Sequence, residues 1–354
     1  MPTAQEYKIV VQKPSGIAFD LGDSTYSIER EALDAIGAEI VEIDASSEDE
    51  FIAGARDADA VIARYRFISE HIIANLDKAI VIGVGGVGAD LVDVAAATAH
   101  DIVVTNVPDV FIEEVADHGM ALLLGVHRRL RLMQKLTNEG RWQEGRPDYV
   151  DVPRLWGRNL GLISFGNVAT AMARRAKAFG LHVSAYDPYV SELNMTGEGV
   201  EPASSLSELL ARSDFVSQHA PWTVETEKML AAEQFAAMKP GAIFINVGRG
   251  KTVDEPALIA ALQNNEIAGA GLDVFYEEPV DPGNPLLHMD NVMSTPHVAS
   301  ATARMMPETR RRLGRELALV LQGRWPRNAV NPDVLSRVKL TRWQPLHYDR
   351  GPGG

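Results

Sequence analysis

The sequence predicts an α/β protein of two domains, each built on a parallel sheet. Short apolar runs alternate along the chain with helix-length amphipathic segments, a pattern typical of parallel strands joined by crossover helices. The chain has 354 residues, which fits two domains at about 100–200 residues each. Its hydrophobic fraction of 46% is sufficient for sizeable cores.

The predicted strands are separated by segments of helical length. In chain order the strands are YKIVVQ, AEIVEID, DAVIARY, AIVIGV, DIVVTNV, NLGLISF, LHVSAYD, FVSQHA, AIFINV, AGAGLDV and NVMSTP. A predicted helix contains MALLLGV, which is apolar on nearly every side and is therefore expected either in a core or in a subunit interface. A last helix, TARMMPETRRRLGRELALVLQG, follows the strands, and its arginines predict a solvated basic face. They are Arg310, Arg311, Arg312 and Arg315.

Charge and composition exclude several classes of function. The net charge is −14, and this field disfavours binding to nucleic acid or to an anionic membrane. The absence of cysteine excludes disulfides and thiol nucleophiles. The N-terminal MPTAQEYKIVV lacks the features of a secretory signal, and no run of about 18 apolar residues predicts a membrane span. We therefore expect a cytoplasmic protein.

Two turns compete for the role of a dinucleotide-binding loop, whose pattern is G-x-G-x-x-G. GVGGVG, residues 83–88, matches fully, whereas SFGNVA, residues 164–169, keeps only Gly166. The strand after SFGNVA ends in Asp187, about 20 residues beyond the turn, where a carboxylate can accept both hydroxyls of the adenine ribose. The strand after GVGGVG ends in Asn106, an amide. The incomplete turn is therefore predicted to bind the cofactor.

The SFGNVA turn can serve this role because anion binding depends on backbone N–H groups at the start of a helix. Ala169 is small enough for close packing of helix on strand, and Ser164 fits the turn if its φ is negative. We expect weaker cofactor binding than with three glycines, so Ser164→Gly should tighten it. The alternative is a plain strand–turn–helix without a nucleotide.

Longer runs resemble the D-isomer-specific 2-hydroxyacid dehydrogenase family. They are GVGGVGADLVD, NVPDVFIEEVADH, RAKAFG, AYDPY, QHAPWTVET, KPGAIFINVGRG, VDEPALIAAL, AGAGLDVFYEEP and STPHVAS. NVPDVFIEEVADH and RAKAFG with AYDPY are similar to the branch that contains the C-terminal-binding-protein corepressors.

The resemblance implies two doubly wound domains, Rossmann-like or flavodoxin-like, with a cleft between them. Residues 1–107 and 300–336 would form the substrate-binding domain, and 108–299 an inserted NAD-binding domain. Residues 337–354 would form a C-terminal tail. The family usually dimerises through helices of the inserted domain, which would place MALLLGV in the interface of a homodimer.

Three residues are predicted to carry the chemistry. Arg249 follows an apolar strand in INVGRG, and a guanidinium can grip a carboxylate with two bonds while polarising a carbonyl. His297 lies in STPHVAS, and the ordinary pKa of histidine, about 6.5, suits proton transfer to and from the carbonyl oxygen. The resemblance assigns Glu278, immediately before a proline in DVFYEEP, to fix the tautomer of His297 and raise its pKa.

The resemblance also implies the binding residues. Asp273 would lie beside the nicotinamide carboxamide, and the backbone of Val84, Gly85 and Gly86 would bind the substrate carboxylate. Arg64 either contacts a distal anionic group or lies on the surface. The predicted cofactor contacts are Phe165, Gly166, Asn167, Val168, Asp187, His219, Pro221, Val247, Gly248, Arg249, Asp273 and His297.

These observations predict an NAD-dependent oxidoreductase that transfers a hydride between the nicotinamide and a small anionic 2-oxo or 2-hydroxy acid of D configuration. Asp187 favours NAD over NADP because it would repel a 2′-phosphate. One alternative is an NAD(H)-sensing scaffold like the corepressors, and another is a phosphite dehydrogenase that uses the same three residues. No metal is predicted, since the histidines at 71, 100, 118 and 127 form no convincing ligand set with acids.

Overall fold

The computed structural model describes residues 7–14 and 25–342, which fold as two units. The split unit takes in the described residues of Met1–Val110 and Thr302–Gly354. The inserted unit is Phe111–Ala301. Residues 343–354, most of the predicted C-terminal tail of residues 337–354, lie outside the described residues.

Twelve strands form two sheets among the described residues, and every strand pairing is parallel. The strands are β1 Tyr7–Gln12, β2 Ala38–Ile43, β3 Ala60–Ala63, β4 Val81–Val84, β5 Val103–Thr105, β6 Asn159–Ile163, β7 His182–Tyr186, β8 Glu201–Pro202, β9 Phe215–Gln218, β10 Ile243–Asn246, β11 Gly269–Leu272 and β12 Val292–Ser294. Most strand residues are buried on both faces, as covered parallel sheets require.

Helices connect these strands. They are α1 Ser27–Leu33, α2 Glu48–Ala55, α3 Glu70–Ile73, α4 Val94–Ala99, α5 Ile112–His127, α6 Leu130–Asn138, α7 Asn167–Ala178, α8 Glu192–Gly197, α9 Leu206–Arg212, α10 Ala232–Ala236, α11 Glu255–Gln263 and α12 Met305–Leu321. The predicted α/β fold of two doubly wound parallel sheets is confirmed.

The strand orders identify where each sheet can bind a ligand. The split unit has the order β2-β1-β3-β4-β5, which is the flavodoxin type. The inserted unit has the order β12-β11-β10-β9-β6-β7-β8 and contains the six-stranded dinucleotide-binding arrangement with one further strand. Its order reverses between β6 and β9, and ligands of such sheets bind at the carboxyl ends of the strands at this reversal.

The MALLLGV stretch lies in α5 and contributes to the core of the inserted unit. Met120, Leu122 and Leu123 are buried in one cluster with residues of β6 and α7. A Cβ at Gly271 of β11 would lie 2.9 Å from the Cβ of Leu122, so α5 packs directly on the sheet. Residues of this stretch that remain exposed include Ala121.

The predicted solvated face of α12 is wrong for Arg310. This side chain is buried, and its guanidinium forms a charge-assisted pair with the carboxylate of Glu29, which is also fully buried. A neighbouring part of α12 packs on β4, where a Cβ at Gly83 would lie 2.6 Å from Leu313. The first glycine of GVGGVG therefore serves helix–sheet packing.

Candidate active site

The SFGNVA turn joins β6 to α7 at the reversal of the inserted sheet. Gly166 is the N-cap of α7, with a φ of −83°, and a Cβ added there would meet no atom within 4 Å. The first N–H groups of a helix have no acceptor within the helix. The open space at the Cβ position of Gly166, beside the N–H groups that begin α7, leaves room for an anion such as a pyrophosphate.

The expectation of a negative φ at Ser164 is wrong. Its φ is 68°, in the left-handed region that favours glycine. The hydroxyl of Ser164 donates to Oδ2 of Asp187 at 3.1 Å, and the N–H of Phe165 donates to the same oxygen at 2.8 Å. Asp187 follows β7 directly, so the turn and the predicted ribose-binding acid are adjacent.

The loops after β9 and β10 contact each other closely. A Cβ at Gly248 would lie 3.0 Å from the carbonyl oxygen of Ala220, which explains glycine at this position. His219 follows β9, its Nε2 lies 2.9 Å from the hydroxyl of Ser217, and burial lowers its pKa to about 4. The ring is therefore neutral near pH 7.

Buried polar atoms without partners mark the same loop. Among the described residues, Nδ1 of His219 has no hydrogen-bond partner, and neither have Nε2 of Gln218 and Nε1 of Trp222. Buried polar groups are rarely left unpaired, and each exception needs an explanation. Together with the open N-terminus of α7, these atoms fit a polar cofactor. The sequence gives no function for Trp222, whose ring lies 4.1 Å below Nζ of Lys251.

Arg249 lies in the loop after β10, between Val247–Gly248 and a short 3-10 turn, Gly250–Thr252. Its carbonyl oxygen accepts bonds from Nδ2 of Asn246 at 3.1 Å and from the hydroxyl of Thr252 at 2.6 Å. A Cβ at Gly250 would lie 1.8 Å from the carbonyl oxygen of Phe275. Glycine therefore allows the segment that carries Arg249 to lie against the segment that leads to Glu278.

Glu278 and His297 form a hydrogen-bonded pair. Nδ1 of His297 lies 2.6 Å from Oε2 of Glu278, and Oε1 of Glu278 accepts the N–H of Phe275 at 3.0 Å. The bond to Glu278 raises the pKa of His297 and outweighs the opposite effects of burial and of Arg249. Burial alone would raise the pKa of Glu278, but its bonds to His297 and Phe275, with the charge of Arg249, lower it overall. The side chain of His297 is 45% exposed, so the imidazole can be reached from outside.

Asp273 holds the turn that carries His297. Its carboxylate is 1% exposed and accepts the hydroxyl of Thr295 at 2.6 Å and the N–H groups of Val298 and Ala299 at 2.9 and 3.0 Å. The N–H of His297 donates to the carbonyl oxygen of Asp273 at 2.8 Å.

Thr295 and His118 are site residues that sequence reasoning missed. Nε2 of His118, on α5, lies 2.8 Å from the hydroxyl of Thr295, which in turn donates to Asp273. Thr295 lies in the run STPHVAS, and His118 lies in the run NVPDVFIEEVADH. Both runs carry the family resemblance, and this was the sequence signal that could have identified the two residues.

Of the predicted substrate-binding residues, Arg249 and His297 lie in the inserted unit, whereas Arg64, Val84, Gly85 and Gly86 lie in the split unit. A Cβ at Gly86 would meet no atom within 4 Å, so the backbone after β4 is accessible there. Arg64 follows β3, and its Nη2 donates to Oε1 of the buried Glu29 at 3.0 Å. A Cβ at Gly85 would lie 3.9 Å from the same Nη2, so the guanidinium lies beside the turn.

No group of three or more His, Cys, Asp or Glu side chains suited to a metal ion occurs within residues 7–14 and 25–342. Within the same ranges no helix is long and apolar enough to cross a membrane.

Comparison with known proteins identifies relatives over most of the chain. Residues 120–299 match the family model described as D-isomer specific 2-hydroxyacid dehydrogenase, NAD binding domain. The chain is 35% identical over 300 residues to D-3-phosphoglycerate dehydrogenase of Methanocaldococcus jannaschii, which covers 84% of this chain and 56% of the relative. It is 38% identical over 282 residues to glyoxylate reductase of Korarchaeum cryptofilum, which covers 79% of this chain and 85% of the relative.

A solved structure is similar over nearly the whole length. It is the NADPH-dependent glyoxylate/hydroxypyruvate reductase of Sinorhizobium meliloti in complex with NADP and malonate, with 32% identity and a TM-score of 0.78. The match covers 96% of this chain and 99% of that one. The chain spans about half the length of the phosphoglycerate dehydrogenases it matches, with 56% and 54% in two of them.

An imidazole paired with a carboxylate, near an arginine and on a dinucleotide-type sheet, is typical of a nicotinamide-dependent dehydrogenase. The chain belongs to the D-isomer specific 2-hydroxyacid dehydrogenase family, and residues 120–299 match the model of the family's NAD-binding domain. The predicted family and the predicted cofactor class are confirmed. The similarity to the corepressor branch stays a prediction.

Proposed function

We propose that the protein is an NAD-dependent oxidoreductase that interconverts a small 2-oxo acid and its D-2-hydroxy acid. The observation that carries the proposal is the bond of 2.6 Å between His297 and Glu278, with Arg249 close enough for its charge to act on both pKa values. The whole constellation lies within the inserted unit.

Each residue has a defined role in this reaction. The reduced nicotinamide, when bound, supplies a hydride to the carbonyl carbon. His297 donates a proton from Nε2 to the carbonyl oxygen and recovers it in the reverse direction. Glu278 keeps Nδ1 protonated, which leaves Nε2 directed at the substrate and stabilises the imidazolium. Arg249 binds the substrate carboxylate and polarises the carbonyl.

We propose further substrate contacts in the split unit. Backbone N–H groups of Val84, Gly85 and Gly86 bind the substrate carboxylate, and Arg64 contacts a second anionic group where the substrate has one. Support comes from the open space at Gly86 and from the position of Arg64 beside the turn.

The remaining proposed cofactor contacts lie in the loops that follow β6, β7, β9, β10, β11 and β12. The pyrophosphate binds at the start of α7, Asp187 binds the adenine ribose, and Asp273 contacts the carboxamide. The other proposed contacts are Phe165, Gly166, Asn167, Val168, His219, Pro221, Val247, Gly248, Arg249 and His297.

The test is turnover with defined cofactors and substrates. Purified protein is mixed with NADH or NADPH and a panel of 2-oxo acids that includes glyoxylate, hydroxypyruvate and pyruvate, and the loss of reduced cofactor is followed by absorbance. We expect oxidation of NADH in preference to NADPH. A preference for NADPH would contradict the role of Asp187. Oxidation of phosphite by NAD, or no turnover with any acid, would favour the phosphite dehydrogenase or the scaffold.

We also propose a homodimer that forms through the inserted unit. Large apolar side chains are strongly exposed in a limited stretch after α5, at Leu130, Trp142, Val150 and Trp156. Their concentration in one segment supports an interaction site there, although Leu193 and Val224 of the same unit are also strongly exposed. Sedimentation equilibrium at micromolar concentration should give twice the mass of the chain, and a single-chain mass would contradict the proposal.

A further inference from the structure

The dinucleotide pattern does not explain why serine occupies position 164 in the predicted cofactor turn. The pattern has glycine at this position. The φ of 68° lies in a region that glycine occupies without strain and serine does not. Strained backbone at a binding site is often connected with function. The hydroxyl of Ser164 is the group that glycine would lack.

The contacts of Asp187 show what this hydroxyl does. Oδ2 accepts the hydroxyl of Ser164 at 3.1 Å and the N–H of Phe165 at 2.8 Å. Oδ1 accepts the N–H groups of Tyr189 at 2.8 Å and Val190 at 3.2 Å. A carboxylate offers about four acceptor positions. The donors of the protein therefore fill all of them.

The adenine ribose needs the same carboxylate, because the acid after the second strand of a dinucleotide sheet accepts the ribose hydroxyls. Three of the four donors to Asp187 are backbone N–H groups, which cannot turn away unless the chain moves. The hydroxyl of Ser164 can rotate away on its own. The hydroxyl of Ser164 occupies one acceptor position of Oδ2. This is therefore the position that a ribose hydroxyl can take.

We propose that the hydroxyl of Ser164 competes with the adenine ribose for Oδ2 of Asp187 and so lowers the affinity for NAD(H). The proposal rests on the proposed function, since it requires NAD as the cofactor. Each cofactor molecule that binds displaces a hydrogen bond to a charged group. Weaker binding appears mainly as faster dissociation, so the same contact shortens the lifetime of the bound nucleotide.

Two substitutions separate the hydroxyl from the backbone strain. Ser164→Ala removes the hydroxyl and keeps a Cβ at the positive φ, whereas Ser164→Gly removes both. Isothermal titration of the full chain with NADH should give a Kd about three- to tenfold lower for Ser164→Ala, the equivalent of one hydrogen bond. Ser164→Gly should lower the Kd at least as much. Ser46→Ala is the matched control, because Ser46 donates to Glu50 at 2.8 Å in the split unit, and its Kd should be unchanged.

A second ligand tests the competition itself. An NADH analogue whose adenine ribose lacks both hydroxyls has nothing to place on Oδ2, so wild type and Ser164→Ala should bind it equally. If Ser164→Ala lowered the Kd equally for NADH and for the analogue, the substitution would have a general structural effect. That result would overturn the proposal. An unchanged or higher Kd of Ser164→Ala for NADH, with wild type binding normally, would also overturn it. Failure of the wild type to bind NADH at all would instead refute the proposed function.

Discussion

His297 has a φ of 52°, a conformation that non-glycine residues rarely adopt. The carboxylate of Asp273 accepts bonds from the two residues that follow His297, and the N–H of His297 donates to the carbonyl of Asp273. These bonds outweigh the unfavourable dihedral and hold the imidazole in one orientation. At the scale of single residues, the acid of the AGAGLD run therefore positions the predicted proton donor.

The pH profile of reduction tests the link between Glu278 and His297. Reduction needs the protonated imidazole, so its rate falls as the pH rises through the pKa of His297. Glu278 raises that pKa. Glu278→Gln removes the charge that raises the pKa of His297, so the fall in kcat/KM should move to lower pH.

Glu277→Gln is the control for this measurement, because Glu277 is the exposed neighbour. Its profile should match the wild type. An unchanged profile for Glu278→Gln, or a move to higher pH, would remove the carboxylate from the proposed mechanism.

The sequence predicted the pairing of two candidate site residues, but it did not predict the local geometry of the turn at 164–169. Arg249, Glu278 and His297 lie in ordered runs. His297 bonds to Glu278, the glutamate immediately before the proline, as the resemblance implied. The sign of φ at Ser164 could not be predicted, since it depends on how the turn meets β7. That Asp187 already has four donors could not be predicted either, because two of them lie after it in the chain.

At the scale of elements, the turn between β6 and α7 is predicted to bind the pyrophosphate through backbone. Gly166 has a negative φ and open space at its Cβ position, so Gly166→Ala should leave the free energy of unfolding nearly unchanged. The added methyl would lie where the pyrophosphate approaches, so the Kd for NADH should rise about tenfold or more, the effect of roughly 1.4 kcal/mol. Titration with NADH and urea unfolding measure the two quantities.

Gly197→Ala is the matched control, because Gly197 also has open space around its Cβ position. Neither its stability nor its Kd should change. A Kd for Gly166→Ala equal to that of the wild type would show that the pyrophosphate does not lie at this turn.

In the loop after β10, we expect a glycine-to-alanine substitution to reduce stability, unlike Gly166→Ala. A Cβ at Gly250 would lie 1.8 Å from the carbonyl oxygen of Phe275, and backbone cannot move aside easily. Gly250→Ala should lower the free energy of unfolding by about 1–3 kcal/mol, as other overpacking substitutions do. Urea unfolding measures this loss, and stability equal to the wild type would mean that the two segments are further apart than described.

The order of elements was well predicted because hydrophobic runs and turn residues specify parallel strands. Strand β8, Glu201–Pro202, was missed because two residues give no periodic pattern. The role of each glycine in GVGGVG could not be predicted, since a pattern does not distinguish glycine needed for packing, as at Gly83, from glycine needed for a ligand.

At the scale of the whole molecule, the expected roles in substrate binding, cofactor binding and catalysis are distributed over the two units. The split unit carries Arg64 and the turn at 84–86, and the inserted unit carries the three catalytic candidates and the cofactor turn. The net charge of −14 is unfavourable for an anionic substrate and cofactor, so local cations and backbone N–H groups must bind them.

Ligand binding should therefore stabilise the folded protein. NADH at 100 times its Kd should raise the free energy of unfolding by about 2.7 kcal/mol. Thermal unfolding with and without NADH measures the change as a higher Tm. An unaltered Tm at that excess would mean that NADH does not bind the native state.

The most direct test of the central claim compares the wild type with His297→Asn. NADH oxidation is measured with the best 2-oxo acid of the panel, and the Kd for NADH is measured on the same samples. We predict that kcat falls about 10²–10⁴-fold, far more than any change in the Kd, because His297 supplies the proton in the reaction. His288→Asn, at an exposed histidine of the same unit, should keep full activity. Near-normal turnover of His297→Asn would contradict the account.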